Sequence, residues 1–263
     1  MLSIQNYLRA ESLDQAYQLN QNRRSHVLGG MLWLRQSDIT VGTAIDLCDL
    51  GLDTIEETPE EYRIGATVPL RRLEHHPGIA ALTSGAVEAA LKDIVGVQFR
   101  NTATVGGSIF GRYGFSDVLT VFLALNATVV CHHAGEISLE QYAQMPADRD
   151  ILVKLVVDKQ PMRVSYQAMR HARTDFPILT CAVSCVDGVW QASVGARPHK
   201  AALVRDQEGL LCGGVDETSA ARFGDYVAGQ LNFGSNMRGS AAYRRQICGV
   251  LVQRAVLAAC EVK

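Results

Sequence analysis

The chain has 263 residues, 48% hydrophobic and 20% charged, which is typical of a globular protein with one large core or two modest ones. Its formal net charge of -2 argues against nucleic acid or an anionic membrane surface as a partner. No apolar run reaches the roughly 18 residues that a membrane-spanning helix needs, and the N-terminal segment lacks the basic and apolar regions of a signal peptide.

The seven cysteines are scattered and form no C-x2-C pair. An odd, scattered set favours reduced thiols in a cytoplasmic protein over a disulfide framework. Zinc and most iron–sulfur sites need close cysteine pairs, so we expect no metal in this chain. Cys181 and Cys185 lie in an apolar run typical of a buried strand. The double histidines, at 75–76 and 132–133, are expected in solvated loops.

The N-terminal half alternates predicted helices and strands. Ser12 and Gln15 have the spacing of a capping box, which predicts a helix that ends near Asn20. Pro69 is expected in the first turn of a helix. Apolar periodicity predicts strands over 25–28, 43–50 and 62–66 and one helix over 79–94.

The remaining pattern indicates two domains. A buried helix is predicted over 116–125 and strands over 128–131 and 151–157. Pro161 marks the expected boundary, because paired β-runs follow over 178–186 and 189–194, and then an amphipathic helix over 241–260. The predicted fold is α+β, with an N-terminal domain over 1–158 and a smaller domain over 159–263.

Two Gly-Gly pairs stand in similar surroundings, Gly29-Gly30 in HVLGGMLWLR and Gly106-Gly107 in TATVGGSIF. Glycine permits a positive φ and leaves no Cβ in the way, so backbone N–H groups can converge on an anion. Two facing turns could hold a pyrophosphate, although each pair taken alone is more often a plain tight turn. The chain has neither a G-x-G-x-x-G nor a G-x4-G-K-[ST] motif, which argues against a Rossmann or P-loop site.

Asp117 follows Ser116 at the start of the predicted apolar helix. A carboxylate in a first helical turn is favoured by the helix dipole. The alternative role is to accept hydrogen bonds from sugar or ribityl hydroxyls, nine residues after the second glycine pair. The residue pattern leaves both readings open.

Five segments in order resemble the flavin subunits of xanthine dehydrogenase and carbon monoxide dehydrogenase. FRNTATVGGSI resembles the family string I-R-N-x-A-T-V-G-G-N-I, and VLGGMLWL resembles A-G-G-T-D-L. SDVLTVFLALNA resembles S-D-L-x-P-A-L-L-A-L-D-A, and YRIGATVPLRRLE resembles the family's I-G-A-T region. NMRGSAAYRRQICGVLVQRAV is similar to the family's C-terminal helix.

The resemblance implies a two-part FAD-binding domain of the PCMH type, followed by a C-terminal α+β domain. FAD would bind between the two glycine turns, next to Asp117, with Leu152 near a position that touches the isoalloxazine ring. The first glycine turn comprises His26, Val27, Leu28, Gly29, Gly30, Met31, Leu32 and Trp33. The second glycine turn comprises Thr104, Val105, Gly106, Gly107 and Ser108.

Three departures from the family pattern concern the flavin site. Met31 replaces a threonine, so a hydroxyl donor is lost. GRYGFS precedes Asp117 in place of the usual A-S-P. SYQAMRHARTDFP has Gln167 or Ala168 where the family has a lysine, while Asp175 remains. A missing lysine would remove a positive charge near the flavin.

The resemblance implies an oxidoreductase subunit that collects electrons on FAD. A molybdenum-cofactor subunit and a [2Fe-2S] subunit would be partners, because this chain has no ligands for either centre, and NAD is a possible acceptor. No residue is identified as a general acid or base. One alternative is a free-standing flavin reductase, whose glycine turn is similar. The other is a flavin-free structural subunit, favoured by Met31 and the missing lysine.

Overall fold

The structure is a computed structural model that describes residues 1–261. A parallel three-stranded sheet, ordered β1-β3-β2, contains β1 (Ser3–Arg9), β2 (Ser25–Leu28) and β3 (Thr40–Asp46). An antiparallel five-stranded sheet, ordered β4-β5-β8-β6-β7, contains β4 (Ile55–Glu57), β5 (Glu61–Gly65), β6 (Thr128–Cys131), β7 (Gly135–Ser138) and β8 (Leu152–Asp158). An antiparallel four-stranded sheet, ordered β12-β11-β10-β9, contains β9 (Met162–Met169), β10 (Leu179–Val186), β11 (Val189–Gly195) and β12 (Ala202–Arg205).

Ten α-helices lie within residues 1–261: α1 (Leu13–Asn20), α2 (Leu70–Glu74), α3 (Pro77–Leu82), α4 (Ala86–Leu91), α5 (Val97–Thr102), α6 (Val105–Phe110), α7 (Asp117–Ala124), α8 (Leu139–Gln144), α9 (Glu217–Gln230) and α10 (Ala241–Glu261). A 3-10 helix, Leu34–Gln36, follows the first glycine turn. The predicted α+β class is confirmed. None of the helices in this range is both long and apolar enough to cross a bilayer.

Helix α7 joins the two halves of the molecule and is buried along its whole length. One side belongs to the large core under the five-stranded sheet. On the other side, the hydroxyls of Thr120 and Thr180 are 2.9 Å apart, and Ser184 and Gln191 donate hydrogen bonds to the carbonyl of Ala124. The four-stranded sheet therefore rests directly on the helix that begins at Asp117.

The C-terminal half has its own core between the four-stranded sheet and helices α9 and α10. Buried residues of α10 recur every three or four positions, as predicted for an amphipathic helix. Strand β8 ends at Asp158 and β9 begins at Met162, on either side of Pro161. The two strands belong to different sheets, so the chain changes layer at this proline.

Several element predictions are confirmed, including Ser12 as the cap of α1 and the strands around 25–28 and 128–131. Two are wrong. The helix predicted over 79–94 is broken, because Ser84 and Gly85 have φ values of 51° and 78°. The strand predicted over 43–50 ends at Asp46, whose carboxylate accepts a hydrogen bond from the Cys48 N–H and starts a turn.

Candidate functional site

A cleft of about 760 Å³ opens between the two glycine turns. Its walls come from β2, the start of α6, and the segment that enters β8. The predicted site residues among its lining are His26, Val27, Leu28, Gly29, Thr104, Gly106, Gly107 and Leu152. The two turns face each other, since a Cβ built on Gly29 would lie 3.0 Å from the Thr104 Oγ1 and 3.7 Å from the Gly107 Cα.

The glycines serve close backbone approach and not positive φ. None of the four adopts the positive φ that glycine permits; in the first turn the residue with this conformation is Met31, at 58°. A Cβ on Gly30 would lie 2.0 Å from the Thr102 carbonyl oxygen, and one on Gly106 would lie 2.7 Å from that of Ala66. These two glycines allow the backbone segments to pack. A Cβ on Gly107 would meet only the Thr104 hydroxyl, at 3.1 Å.

Hydrogen-bond donors are distributed unequally between the turns. In the second turn, the N–H groups of Val105 and Gly106 donate to the carbonyls of Val68 and Ala66, and those of Gly107 and Ser108 donate to Thr104. In the first turn, the N–H groups of residues 29–33 donate to no acceptor within residues 1–261. Of residues 29–33, Gly29 alone lines the cleft, so its free N–H is the backbone donor that the first turn offers to an anion there.

The cleft also carries polar side chains, among them His26, Thr104 and Arg149, together with the carboxylates of Asp148 and Asp150. The Nδ1 atom of His26 is buried and has no hydrogen-bond partner within the described chain. The hydroxyl of Thr104 accepts from the Gly107 N–H, and its own proton has no acceptor there. Arg149 donates to the carbonyls of Asn22 and Ser25, at 2.6 and 2.7 Å, and pairs with no carboxylate among residues 1–261. Arg149 thus adds a positive charge beside unfilled hydrogen-bonding groups.

A second, smaller cavity that is partly open to solvent lies on the other side of the glycine turns. We call it the aromatic cavity, because four of its lining rings contact one another: Trp33, Tyr113, Phe115 and Phe176. Tyr113 and Phe115 are stacked at 5.2 Å, and Phe115 meets Phe176 edge to face at 4.9 Å. The segment GRYGFS, which differs from the family pattern, therefore supplies aromatic surface to this cavity.

Asp117 lines the aromatic cavity and is held by the C-terminal half. Its Oδ1 accepts hydrogen bonds from the Tyr166 hydroxyl and from Arg170, the latter at 2.5 Å. Burial raises the pKa of Asp117, while the Arg170 charge and the hydrogen bond from Tyr166 oppose that rise. Burial and the neighbouring Asp117 also raise the pKa of Tyr166, which keeps its proton and donates it. The cap of α7 is the hydroxyl of Ser116, so Asp117 is free of that role.

Together with the cleft residues above, the predicted site residues fall into three groups. Trp33, Ser108 and Asp117 line the aromatic cavity, whereas Leu152 lies in the cleft with Ile151 and Phe110. Gly30, Met31, Leu32 and Val105 line neither space. Leu32 and Val105 are buried in the large core, and Met31 packs against the smaller cluster under β3. The structure therefore separates Leu152 from Asp117.

Reasoning from sequence missed Arg149, Arg170, Tyr113, Phe115 and Phe176. The aromatic residues carry a usable signal, since Gly111 and Gly114 flank Tyr113 and free that short segment to fold back. A Cβ on Gly111 would lie 2.3 Å from the Tyr113 ring. Arg149 and Arg170 carry no such signal in the sequence, because their partners are distant in the chain.

Comparison with known proteins identifies two family models along the chain. "FAD binding domain in molybdopterin dehydrogenase" matches residues 2–159, and "CO dehydrogenase flavoprotein C-terminal domain" matches residues 164–259. The uncharacterized protein YgfM of Escherichia coli K12 is 29% identical over 95% of this chain and 94% of its own. The medium subunit of nicotine 6-hydroxylase from Paenarthrobacter nicotinovorans is 26% identical over 82% of this chain and 81% of its own.

Solved structures show the same fold. Reconstituted CO dehydrogenase from Oligotropha carboxidovorans contains a chain that superimposes with a TM-score of 0.88 and 20% identity. The match covers 99% of both chains.

Proposed function

Because the chain belongs to the FAD-binding subunits of the molybdenum hydroxylase family, an oxidoreductase family, we propose that it carries electrons on FAD from iron–sulfur partner clusters to an acceptor such as NAD. FAD is the cofactor of the family, and its bound flavin supplies two-electron chemistry. The protein's own contribution is to bind the cofactor, orient it and set its electrostatic surroundings. We take residues 1–158 as the FAD-binding domain and 159–263 as the C-terminal domain.

The cleft between the turns fits a pyrophosphate. The observation that carries this assignment is the free N–H group of Gly29, opposite the Cβ-free wall at Gly107. Phosphate oxygens accept hydrogen bonds, so this donor, the Thr104 hydroxyl and the Arg149 charge form a suitable set.

The two cavities suggest how the ends of FAD are arranged. We assign the aromatic cavity, with Trp33 and Asp117, to the flavin end, because flat rings stack on a conjugated ring system. The cleft with Leu152 and the unpartnered His26 Nδ1 is assigned to the adenosine end. Leu152 then contacts adenine and not the isoalloxazine ring.

The purified chain is expected to be yellow and to release unmodified FAD on heating or in acid. Every contact proposed here is non-covalent, and no side chain of the two cavities is assigned as an attachment site. Visible spectra before and after precipitation, with mass determination of the released flavin, measure this. Colourless protein that takes up no added FAD would instead support the flavin-free structural subunit.

We also expect the chain to co-purify from its host with two further polypeptides that carry molybdenum and iron. Within residues 1–261 no group of three or more His, Cys, Asp or Glu side chains is arranged to bind a metal, so both centres would lie on partners. Affinity purification of the tagged chain under mild conditions, with metal analysis of the eluate, tests this. A lone polypeptide that reacts with NAD(P)H and a small substrate would favour the free-standing reductase.

A further inference from the structure

Arg170 lies at the flavin end of the proposed site, directly after strand β9. One terminal nitrogen donates to Asp117 at 2.5 Å, and the other donates to the Asp175 carbonyl at 2.6 Å. The side chains of Arg170 and Asp117 are only 10% and 6% exposed. The Nε atom of Arg170 makes no hydrogen bond within residues 1–261, so donor capacity remains for a molecule in the aromatic cavity.

The pleat of β9 shows where a lysine of the family pattern would point. Tyr166 and Ala168 pack against the large core on the Asp117 side, whereas Met169 belongs to the C-terminal core. Gln167 pairs with Cys181, which also lies in the C-terminal core. Side chains alternate along a strand, so Ala168, and not Gln167, lies on the Asp117 side of the sheet. Arg170 follows Ala168 by two residues and lines the aromatic cavity, whose lining does not include Ala168 itself.

We infer that Arg170 is a positioning residue that supplies the positive charge missing at Ala168, holds the Asp117 carboxyl group in place and favours the reduced form of bound FAD. The inference rests on the proposed FAD site. Reduction by two electrons and one proton leaves the flavin ring with a negative charge near neutral pH. A cation fixed beside the ring in a water-poor cavity stabilises that charge without reorganising.

The test is a redox titration of the FAD-loaded chain, with dithionite as reductant and a reference dye, followed by visible absorption. Arg170→Ala is expected to weaken the preference for reduced over oxidised FAD about tenfold, the effect of one nearby charge. For a two-electron couple this equals a decrease of about 30 mV. Arg170→Lys keeps the charge and should stay within about twofold of the wild type. Adding Ala168→Lys to Arg170→Ala should restore most of the loss.

Arg173→Ala is the matched control. Arg173 lies in the same segment and pairs with Asp93 at 2.8 Å across the two halves, but it is exposed and lines neither cavity. It should leave the potential unchanged. Equal potentials for Arg170→Ala and Arg173→Ala would overturn the inference. If Arg170→Ala does not fold, Arg170→Gln is compared with Arg170→Lys, and equal potentials for that pair also overturn it. Failure of the wild type to take up FAD would refute the proposed function instead.

Discussion

Replacing Gly107 with valine is expected to abolish FAD binding while leaving the apoprotein folded. A Cβ at this position meets only the Thr104 hydroxyl within the protein, at 3.1 Å, so the fold has little reason to collapse. The branched side chain would instead occupy the space between the two glycine turns, opposite Gly29 in the cleft. Flavin absorbance that stays with the protein after gel filtration should fall by at least about tenfold. A tenfold loss of affinity corresponds to ~1.4 kcal/mol of binding free energy.

Two further glycine variants separate binding from folding. Gly30→Ala places its Cβ 2.0 Å from the Thr102 carbonyl, so thermal unfolding of this variant should begin at a lower temperature even without FAD. Gly229→Val, on the exposed side of α9 with nothing within 4 Å, should keep stoichiometric FAD. Stoichiometric FAD in Gly107→Val would mean that the second turn does not contact the cofactor.

The sequence predicts local features of this fold well because they depend on neighbouring residues. The hydroxyl of Ser12 caps α1 as its spacing to Gln15 indicates, and the apolar run after Ser116 becomes the buried α7. Periodicity fails where a single backbone conformation decides. Ser84 and Gly85 interrupt an otherwise continuous helical pattern, and apolar spacing carries no information about their φ angles.

The site residues show the same contrast between local motifs, which the sequence reveals, and tertiary contacts, which it does not. Both glycine turns and Asp117 are found from short motifs, because each motif is continuous in the chain. The Asp117–Arg170 pair joins residues that are 53 positions apart, and the Arg149 contacts span more than 120 positions. The unequal supply of N–H donors is also invisible in sequence, since it depends on whether Ala66 and Val68 lie beside the second turn. Tertiary packing, and not local propensity, fixes these features.

Loss of the Glu74 carboxylate is expected to destabilise the FAD-binding half by about 3–5 kcal/mol, the range for breaking a buried ion pair. Arg100 donates to both Glu74 oxygens, at 2.7 and 3.3 Å, and both side chains are about 95% buried. Glu74→Ala would leave the Arg100 charge buried without its partner. Urea unfolding followed by circular dichroism measures the change, and Glu140→Ala is the control. Glu140 pairs with Arg205 at a surface where both are over 40% exposed, so about 0–1 kcal/mol is expected there.

The effect of Glu74→Ala should depend on pH in a defined direction. Burial raises the pKa of Glu74, but hydrogen bonds and charges from Arg100 and Arg71 outweigh burial and hold it below its usual value. A lowered pKa in the folded state contributes stability above the unfolded value of about 4.3, and that contribution is lost as pH falls through the folded pKa. The difference between wild type and Glu74→Ala should therefore be largest near neutral pH and shrink below about pH 4. A difference that stays constant to pH 3 would contradict the ion pair as its cause.

The same ion pair also supports the proposed cofactor site. Arg100 lies in α5, whose last carbonyl, that of Thr102, is the atom against which Gly30 packs. The next residues lead directly into Thr104 and the second turn. Loosening α5 should therefore separate the two turns before the whole domain unfolds. We expect Glu74→Ala to weaken FAD binding at temperatures where its circular dichroism is still that of the wild type, whereas Glu140→Ala should bind FAD normally. Equal FAD affinity in both variants would show that α5 is not what keeps the turns together.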